Sequence, residues 1–322
     1  ALAQSRDSGS RTGDRPAVMT PVDARLRQVR MLALLICALS LLVVAVSAWL
    51  RLDAAGVGCA PWPECYARLL TADPSPLHYG FARLLHRAVA SSALLLTLLL
   101  VWRCLRPQPL QPAARYAVLL LLLMLALSAL GFASADPRRA LVGALNIVGG
   151  LGLVTFSWRV AMAAGACAPV STPVTDPFLR IGVGVLTLAV LMGAWLGATY
   201  SAPACPSLPF CEMKAWNLAE GLRALDPFQR LQAAAMPGDA GGTTLHLLHR
   251  GLAILSLLLL GGVAARTRWP AARVVAGLLV GVMLLGMVVV AAVGSGFERW
   301  LIVGHGAAAA LLLAAVATLL RR

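Results

Sequence analysis

Two cysteine pairs and a small set of histidines carry whatever chemistry this sequence can do. Cys59 and Cys65 stand six residues apart in "VGCAPWPECYARLL" (57–70), and Cys205 and Cys211 repeat that spacing in "PACPSLPFCEM" (203–213). A proline stands two residues before the second cysteine of each pair, and both pairs are separated by the same offset of 146 residues. A matched spacing at a single offset points to an internal duplication. So short a spacing, turned by prolines, allows the Cα separation of ~5.5 Å that a disulfide needs. Such a pair serves either as a structural staple or as a redox-active dithiol. A metal site is the weakest reading, because no histidine or third cysteine stands beside either pair. The other cysteines, Cys37, Cys104 and Cys167, follow no such pattern.

The histidines repeat with the cysteines. "RLLHRAVA" (83–90) matches "HLLHRGLA" (246–253), so His86-Arg87 and His249-Arg250 are equivalent. A later segment, "RRALVGALNIVGGLGLV" (138–154), matches "ERWLIVGHGAAAALLLA" (298–314) and brings Asn146 near the position of His305. His78 and His246 complete the five histidines of the chain.

The elements that must position these residues are membrane helices. The chain is 60% hydrophobic and only 12% charged over 322 residues, about half the charge content of a soluble domain. Eight runs of 18 or more apolar residues are visible, near 31–50, 81–102, 115–134, 140–158, 179–199, 244–264, 274–294 and 300–320. In hydrocarbon every backbone amide must be bonded internally, so these runs predict helices; no alternating strands of a barrel type are present. The net charge of +14 does not imply a nucleic-acid partner, because the basic residues follow topology. With the N-terminus inside, sixteen Lys and Arg fall on the inside and eight on the outside. That bias predicts an inner-membrane protein of bacterial type with both termini cytoplasmic. Residues 1–24 lack an apolar stretch and read as a polar tail, not a signal peptide. Both cysteine pairs then lie in the two longest outer loops, 51–80 and 200–243, on the oxidising side.

This topology gives the histidines a geometry. His249 and His305 each fall about five residues into helices that begin outside, so both imidazoles lie ~8 Å below that surface. Ionisable groups inside membrane helices are costly and mark function. Two imidazoles at one depth suit the axial positions of a single heme, and Gly304, Gly306 and the following alanines leave room for a flat macrocycle. Zinc would want more ligands than two histidines. Arg87 and Arg250 either snorkel to the interface or hold heme propionates.

Together these segments resemble the heme A synthase family over about 30–320. The resemblance rests on "WLRLDAAGVGCAPWPECYARL" (49–69), "MGAWLGATYSAPACPSLPFC" (192–211), "LLHRGLA" (247–253) and His305. It implies an all-α membrane protein whose eight transmembrane helices form two pseudo-twofold-related four-helix bundles. Residues 1–30 would be a cytoplasmic tail, 31–165 an N-terminal bundle for a substrate heme, and 166–322 a C-terminal bundle. The latter would hold heme b on His249 and His305, while the substrate heme would bind near His86. The reaction implied is oxidation of a heme o methyl to the formyl of heme a, with a heme o synthase and oxidase assembly proteins as partners. The sequence departs from the family pattern at Arg83, where a glutamate is expected three residues before His86. It departs again at Asn146, where a second histidine is expected, and at Ala60-Pro61. The first half therefore keeps one imidazole and lacks the acid. Two functions stay open: a heme A synthase-like oxidoreductase, or a non-catalytic b-type membrane cytochrome of the same fold.

Overall fold

The computed structural model describes residues 20–54, 80–133, 138–165, 176–208, 211, 216–228, 231, 237–267, 269–293, 295 and 297–320. Cys59, Cys65, His78 and Cys167 lie outside these residues. The described residues form helices α1 (Pro21–Ala54), α2 (Gly80–Leu105), α3 (Ala113–Ala133), α4 (Ala140–Ala163) and α5 (Pro177–Ala198). A short 3₁₀ turn, Ala202–Ala204, follows, then α6 (Leu218–Arg223), α7 (Ala240–Thr267), α8 (Pro270–Ala291) and α9 (Glu298–Leu319). All but α6 are long and apolar enough to cross a membrane, as the eight apolar runs require. The chain is a multi-pass membrane protein.

Local chemistry sets where the helices start and stop. Thr20 and Asp23 cap α1 reciprocally: the Asp23 amide donates to Thr20 Oγ1 at 3.2 Å, and the Thr20 amide donates to Asp23 Oδ2 at 3.2 Å. Asp176 caps α5 by accepting from the Phe178 amide, with Pro177 in the first turn where its missing N–H costs nothing. Pro270 opens α8 in the same way. The α5 helix ends in a six-to-one bond from the Ser201 amide to the Leu196 carbonyl at 3.1 Å. The residue between them, Tyr200, has φ 52°, a left-handed conformation that glycine usually supplies.

The first four long helices close on one another: α1 packs on α2 and α4, and α3 packs on α2 and α4. In the second half α5 packs on α7, α7 on α8, and α8 on α9, whereas α5 and α9 form no comparable seam among the described residues. The halves meet through α4 and α9, through α1 and α9, and through α4 and α5. A small apolar cluster of Leu151, Val154, Ala310 and Ala314 fills the α4–α9 contact.

Along every long helix the packing changes from one end to the other. The end that carries the helix α1 N-terminus is solid. There Ile36, Leu100, Leu120 and Val160 form one buried cluster, and Leu179, Leu260, Leu279 and Leu312 form another. Arginines tie this end together. Arg25 donates to the carbonyls of Arg103 at 2.8 Å and Gln108 at 2.7 Å, and Arg159 donates to the Ala317 carbonyl at 2.6 Å. Arg159 also reaches the Tyr116 hydroxyl, and Arg266 pairs with Asp176. At the opposite end the helices separate around a cavity, with an Asp53–Arg299 ion pair and a Trp49–Trp300 contact joining α1 to α9 above it. Dense apolar packing at one end and a cavity at the other is the scaffold for a site.

Candidate functional site

The cavity encloses about 880 Å³ and is continuous across both halves. Its lining comes from all eight long helices. His86, Asn146, His246, His249 and His305 all face it, with Arg51, Arg87 and Arg250. The histidines that the sequence separates by up to 219 positions are therefore brought to one space. No Asp or Glu lines it among the described residues. Nor do the described residues hold any group of three or more His, Cys, Asp or Glu placed to bind a bare metal ion. A pair of imidazoles, by contrast, suits a metal already held in a planar macrocycle.

His249 and His305 are seated alike. Each imidazole lies against a glycine of a neighbouring helix, and only glycine allows it. A Cβ on Gly193 of α5 would come within 2.9 Å of His249 Cε1, and one on Gly286 of α8 within 3.1 Å of His305 Cε1. His249 Nδ1–H donates to the Ala189 carbonyl, one turn before Gly193, at 2.8 Å. That bond fixes the tautomer and leaves Nε2 as the lone-pair nitrogen. His305 Nδ1 faces the equivalent carbonyl, Val282, one turn before Gly286, but stops outside hydrogen-bonding geometry. A backbone carbonyl behind the far ring nitrogen is the usual support of a metal-ligating histidine. The two rings interact electrostatically across the cavity. Gly306, beside His305, borders open space, which fits a flat ligand there.

His249 and His305 are not equally far from their helix starts. The α7 helix begins at Ala240, earlier than the apolar run indicated, so His249 is ten residues in and His305 eight. The offset is ~3 Å along the helix axis. The small residues Gly241 and Gly242, packed on Ala224 and Ala204, extend α7 outward beyond the hydrophobic stretch.

The arginines divide. Arg250 donates to the Ser207 carbonyl at 3.1 Å and the Cys205 carbonyl at 3.2 Å, so its guanidinium holds the loop closed by the second cysteine pair. Cys205 and Cys211 are joined in a disulfide with a Cα separation of 5.3 Å, as the spacing predicts. Leu208 of the same loop reaches the cavity. Arg87 is exposed at the cavity edge. Cys37 and Cys104 are free thiols, away from this loop.

Sequence reasoning passed over four residues of the site. Gly193 and Gly286 read as ordinary helix-packing glycines, and only their approach to the imidazoles reveals their part. Arg51 reads as an end-of-helix charge, yet its Nε is buried on the cavity wall without a hydrogen-bond partner. His246 has no assigned role in the sequence reading, yet it is 8% exposed, and its Nδ1 also lacks a partner. Six buried side-chain polar atoms are unpartnered among the described residues, and four of them, on Ser40, Arg51, His246 and His305, line this one cavity. Orphaned polar atoms are rare in native interiors, so their concentration here indicates a ligand with polar groups. The signal available in the sequence was the motif match that places His246 at the position of Arg83.

No protein-family profile matches the sequence. The chain is 26% identical over 311 residues to Heme A synthase of Shewanella oneidensis, an alignment covering 87% of this chain and 92% of that protein. The chain is thus similar, over most of its length, to a heme A synthase. Two of the chain's departures from the pattern expected of that family, Asn146 and Arg83, fall in different places. Asn146 lines the cavity opposite His86, whereas Arg83 is exposed and off the lining. The missing carboxylate is thus not replaced by a cation inside the cavity.

Proposed function

We propose that this chain is a heme A synthase-like membrane oxidoreductase. It binds heme b between His249 and His305 and acts on heme o in the first half, near His86, to give heme a. The observation that carries the reading is the paired seating of His249 and His305 in glycine notches on one cavity that continues to His86. The residues present fit a porphyrin. Two imidazoles face one space, a carbonyl stands behind each, small residues flank His305, and no competing metal cluster occurs among the described residues. A porphyrin iron bound in this way supplies one-electron transfer.

The chain's own residues do the positioning. Ala189 and Gly193 hold the His249 ring, and Val282 and Gly286 back the His305 ring, so both present Nε2 inward. Leu186, Leu279 and Leu312 close the inner end of the cavity and exclude water from below. Among the described residues of the first half, His86 is the one imidazole facing the cavity, and Asn146 also lines it, at the position where the family pattern expects a second histidine. An amide binds iron poorly, so a substrate heme on His86 keeps one face open. Phe132, 91% exposed, and Met287, 46% exposed, also border the cavity. They mark side openings toward the bilayer through which an apolar-tailed porphyrin enters. The outer cysteine loops lie on the periplasmic side of a bacterial inner membrane in this reading, with both termini cytoplasmic. A heme o synthase and oxidase assembly proteins are the partners it implies.

One observation favours the second reading, a non-catalytic b-type cytochrome of the same fold: no carboxylate lines the cavity among the described residues, so the proton-handling acid of the reaction has no stand-in there. Pyridine-hemochrome spectra with heme extraction from the purified protein separate the two. Heme b together with heme o or heme a supports the synthase. Heme b alone, at one per chain, insensitive to carbon monoxide and unchanged in His86→Ala, supports the cytochrome. A low-spin heme that persists in both His249→Ala and His305→Ala refutes either.

A further inference from the structure

Two of the orphaned polar groups on the cavity, those of Arg51 and His246, stand toward its outer end. Arg51 stands near the outer end of α1, on the cavity wall, with Nε buried and unpartnered. His246 stands on α7, one turn outward from His249, with Nδ1 buried and unpartnered. The two come from different halves of the chain, yet one turn joins them. Tyr200 is the ionisable group that faces Arg51, and Ala202, two residues later, accepts a hydrogen bond from His246 Nε2 at 3.0 Å.

That turn is built for the purpose. Tyr200 takes a left-handed backbone at φ 52°, an uncommon conformation for a bulky residue and one that costs energy where it is not held. Here it is held by the Schellman bond beneath it and by the Thr199–Ser201 hydroxyl contact at 2.8 Å. The same turn brings the Ala202 carbonyl to His246. Tyr200 does not balance the charge of Arg51. Burial pushes the Tyr200 phenol up, and the neighbouring Arg51 offsets this only in part, so the hydroxyl stays neutral. Asp53, two residues beyond Arg51, pairs with Arg299 instead. No ion pair holds Arg51 among the described residues. A guanidinium on a cavity wall, with its Nε buried and no counter-charge among the described residues, fits a carboxylate, which it can grip through two N–H groups. His246 donates Nε2–H to a carbonyl, so its Nδ1 keeps a lone pair and can accept a hydrogen bond from the O–H of a protonated carboxyl group.

We propose that Arg51 and His246 form the carboxyl cradle of this cavity for the porphyrin held by His249 and His305, Arg51 donating to one propionate carboxylate and His246 Nδ1 accepting from the O–H of the other, protonated, propionate. The inference rests on the heme reading above and names the residues that orient the macrocycle. Porphyrin propionates hang together from one edge, and the cradle sits outward of the axial histidine on α7, so this edge faces the outer side. It also takes the role away from Arg250, whose guanidinium holds the Cys205–Ser207 carbonyls.

The test is a titration of apoprotein, purified in detergent from heme-depleted cells, with hemin and with hemin dimethyl ester, followed at the Soret band. The ester keeps the iron and the ring but cannot accept the charged grip. Wild type binds hemin ~10- to 100-fold more tightly than the ester, the loss expected for one charge-assisted hydrogen bond. Arg51→Gln and His246→Leu lower hemin affinity toward that of the ester while the low-spin spectrum stays, and Arg51→Lys recovers part of the difference. An unchanged hemin-to-ester ratio in Arg51→Gln and His246→Leu overturns the cradle. So does equal loss of hemin and ester binding in Arg51→Gln and Arg51→Lys, which marks a packing role. A low-spin complex that survives combined His249→Ala and His305→Ala replacement removes the heme reading itself, a result distinct from both.

Discussion

Adding one methyl group at Gly193 tests whether the His249 ring is held for ligation. In Gly193→Ala the new Cβ would stand 2.9 Å from His249 Cε1, 3.3 Å from Nδ1 and 3.6 Å from Nε2. Real Cβ contacts are almost never so short, so the ring must move by several tenths of an ångström. Its freedom is limited, because Nδ1 is already bonded to the Ala189 carbonyl of the same helix at 2.8 Å. Moving the ring stretches that bond, worth about 0.5–1.5 kcal/mol, and swings Nε2 off the iron axis. Loss of such support behind a metal-bound histidine lowers affinity about 10- to 100-fold, or ~1.4 to 2.7 kcal/mol. The same substitution in a helix interior favours the helix by up to ~1 kcal/mol. Gly184→Ala, one α5 position with nothing within 4 Å, is therefore the matched control. Hemin titration and thermal unfolding are measured for both variants. The expectation is weaker low-spin heme binding in Gly193→Ala alone, with unfolding temperatures equal to or above wild type in the control. Equal hemin affinity in the two variants would refute the reasoning, because the notch would then hold a ring that no ligand needs.

Two further outcomes follow from the same geometry. Arg250→Met removes two hydrogen bonds from a charged donor to the Ser207 and Cys205 carbonyls, each worth about 1.5–3 kcal/mol. The Cys205–Cys211 loop should then be reduced and alkylated faster by a water-soluble phosphine, with the low-spin heme signal kept; unchanged alkylation kinetics would show that the loop needs no such tie. Asn146→His offers His86 an imidazole partner across the cavity, so any carbon-monoxide-binding heme of the first half should become low-spin and lose carbon monoxide affinity. A carbon monoxide difference spectrum identical to wild type would mean that the two positions do not share a ligand.

Much of the architecture follows from sequence periodicity and composition alone. A run such as 274–294 has no choice but to be a helix, because hydrocarbon offers its amides no other partner. The Cys205–Cys211 disulfide was likewise legible, since a spacing of six with prolines is a local constraint that no distant residue can change. His249 and His305 were legible as a pair because an imidazole in an apolar run is costly wherever it lands. What only the tertiary structure decided concerns which faces of these helices meet. Gly193 is one of 29 glycines in the chain. Nothing local distinguishes it from Gly184 until α7 packs against α5 and brings His249 onto it. Arg250 and Arg51 are both arginines near outer helix ends, and the sequence alone left Arg250 open between snorkelling and holding a propionate. Packing adds what no local pattern shows: both line the cavity, Arg250 also donates to carbonyls of the disulfide loop, and the Arg51 Nε has no partner. The outward extension of α7 past its apolar stretch is of the same kind, since it goes with the packing of Gly241 and Gly242 on Ala224 and Ala204. A one-dimensional pattern fixes what a segment must avoid, namely unbonded amides and exposed apolar faces in the wrong medium. Which polar atoms are satisfied and which are left waiting for a ligand depends on contacts between residues far apart in the chain, and only the folded helices supply those.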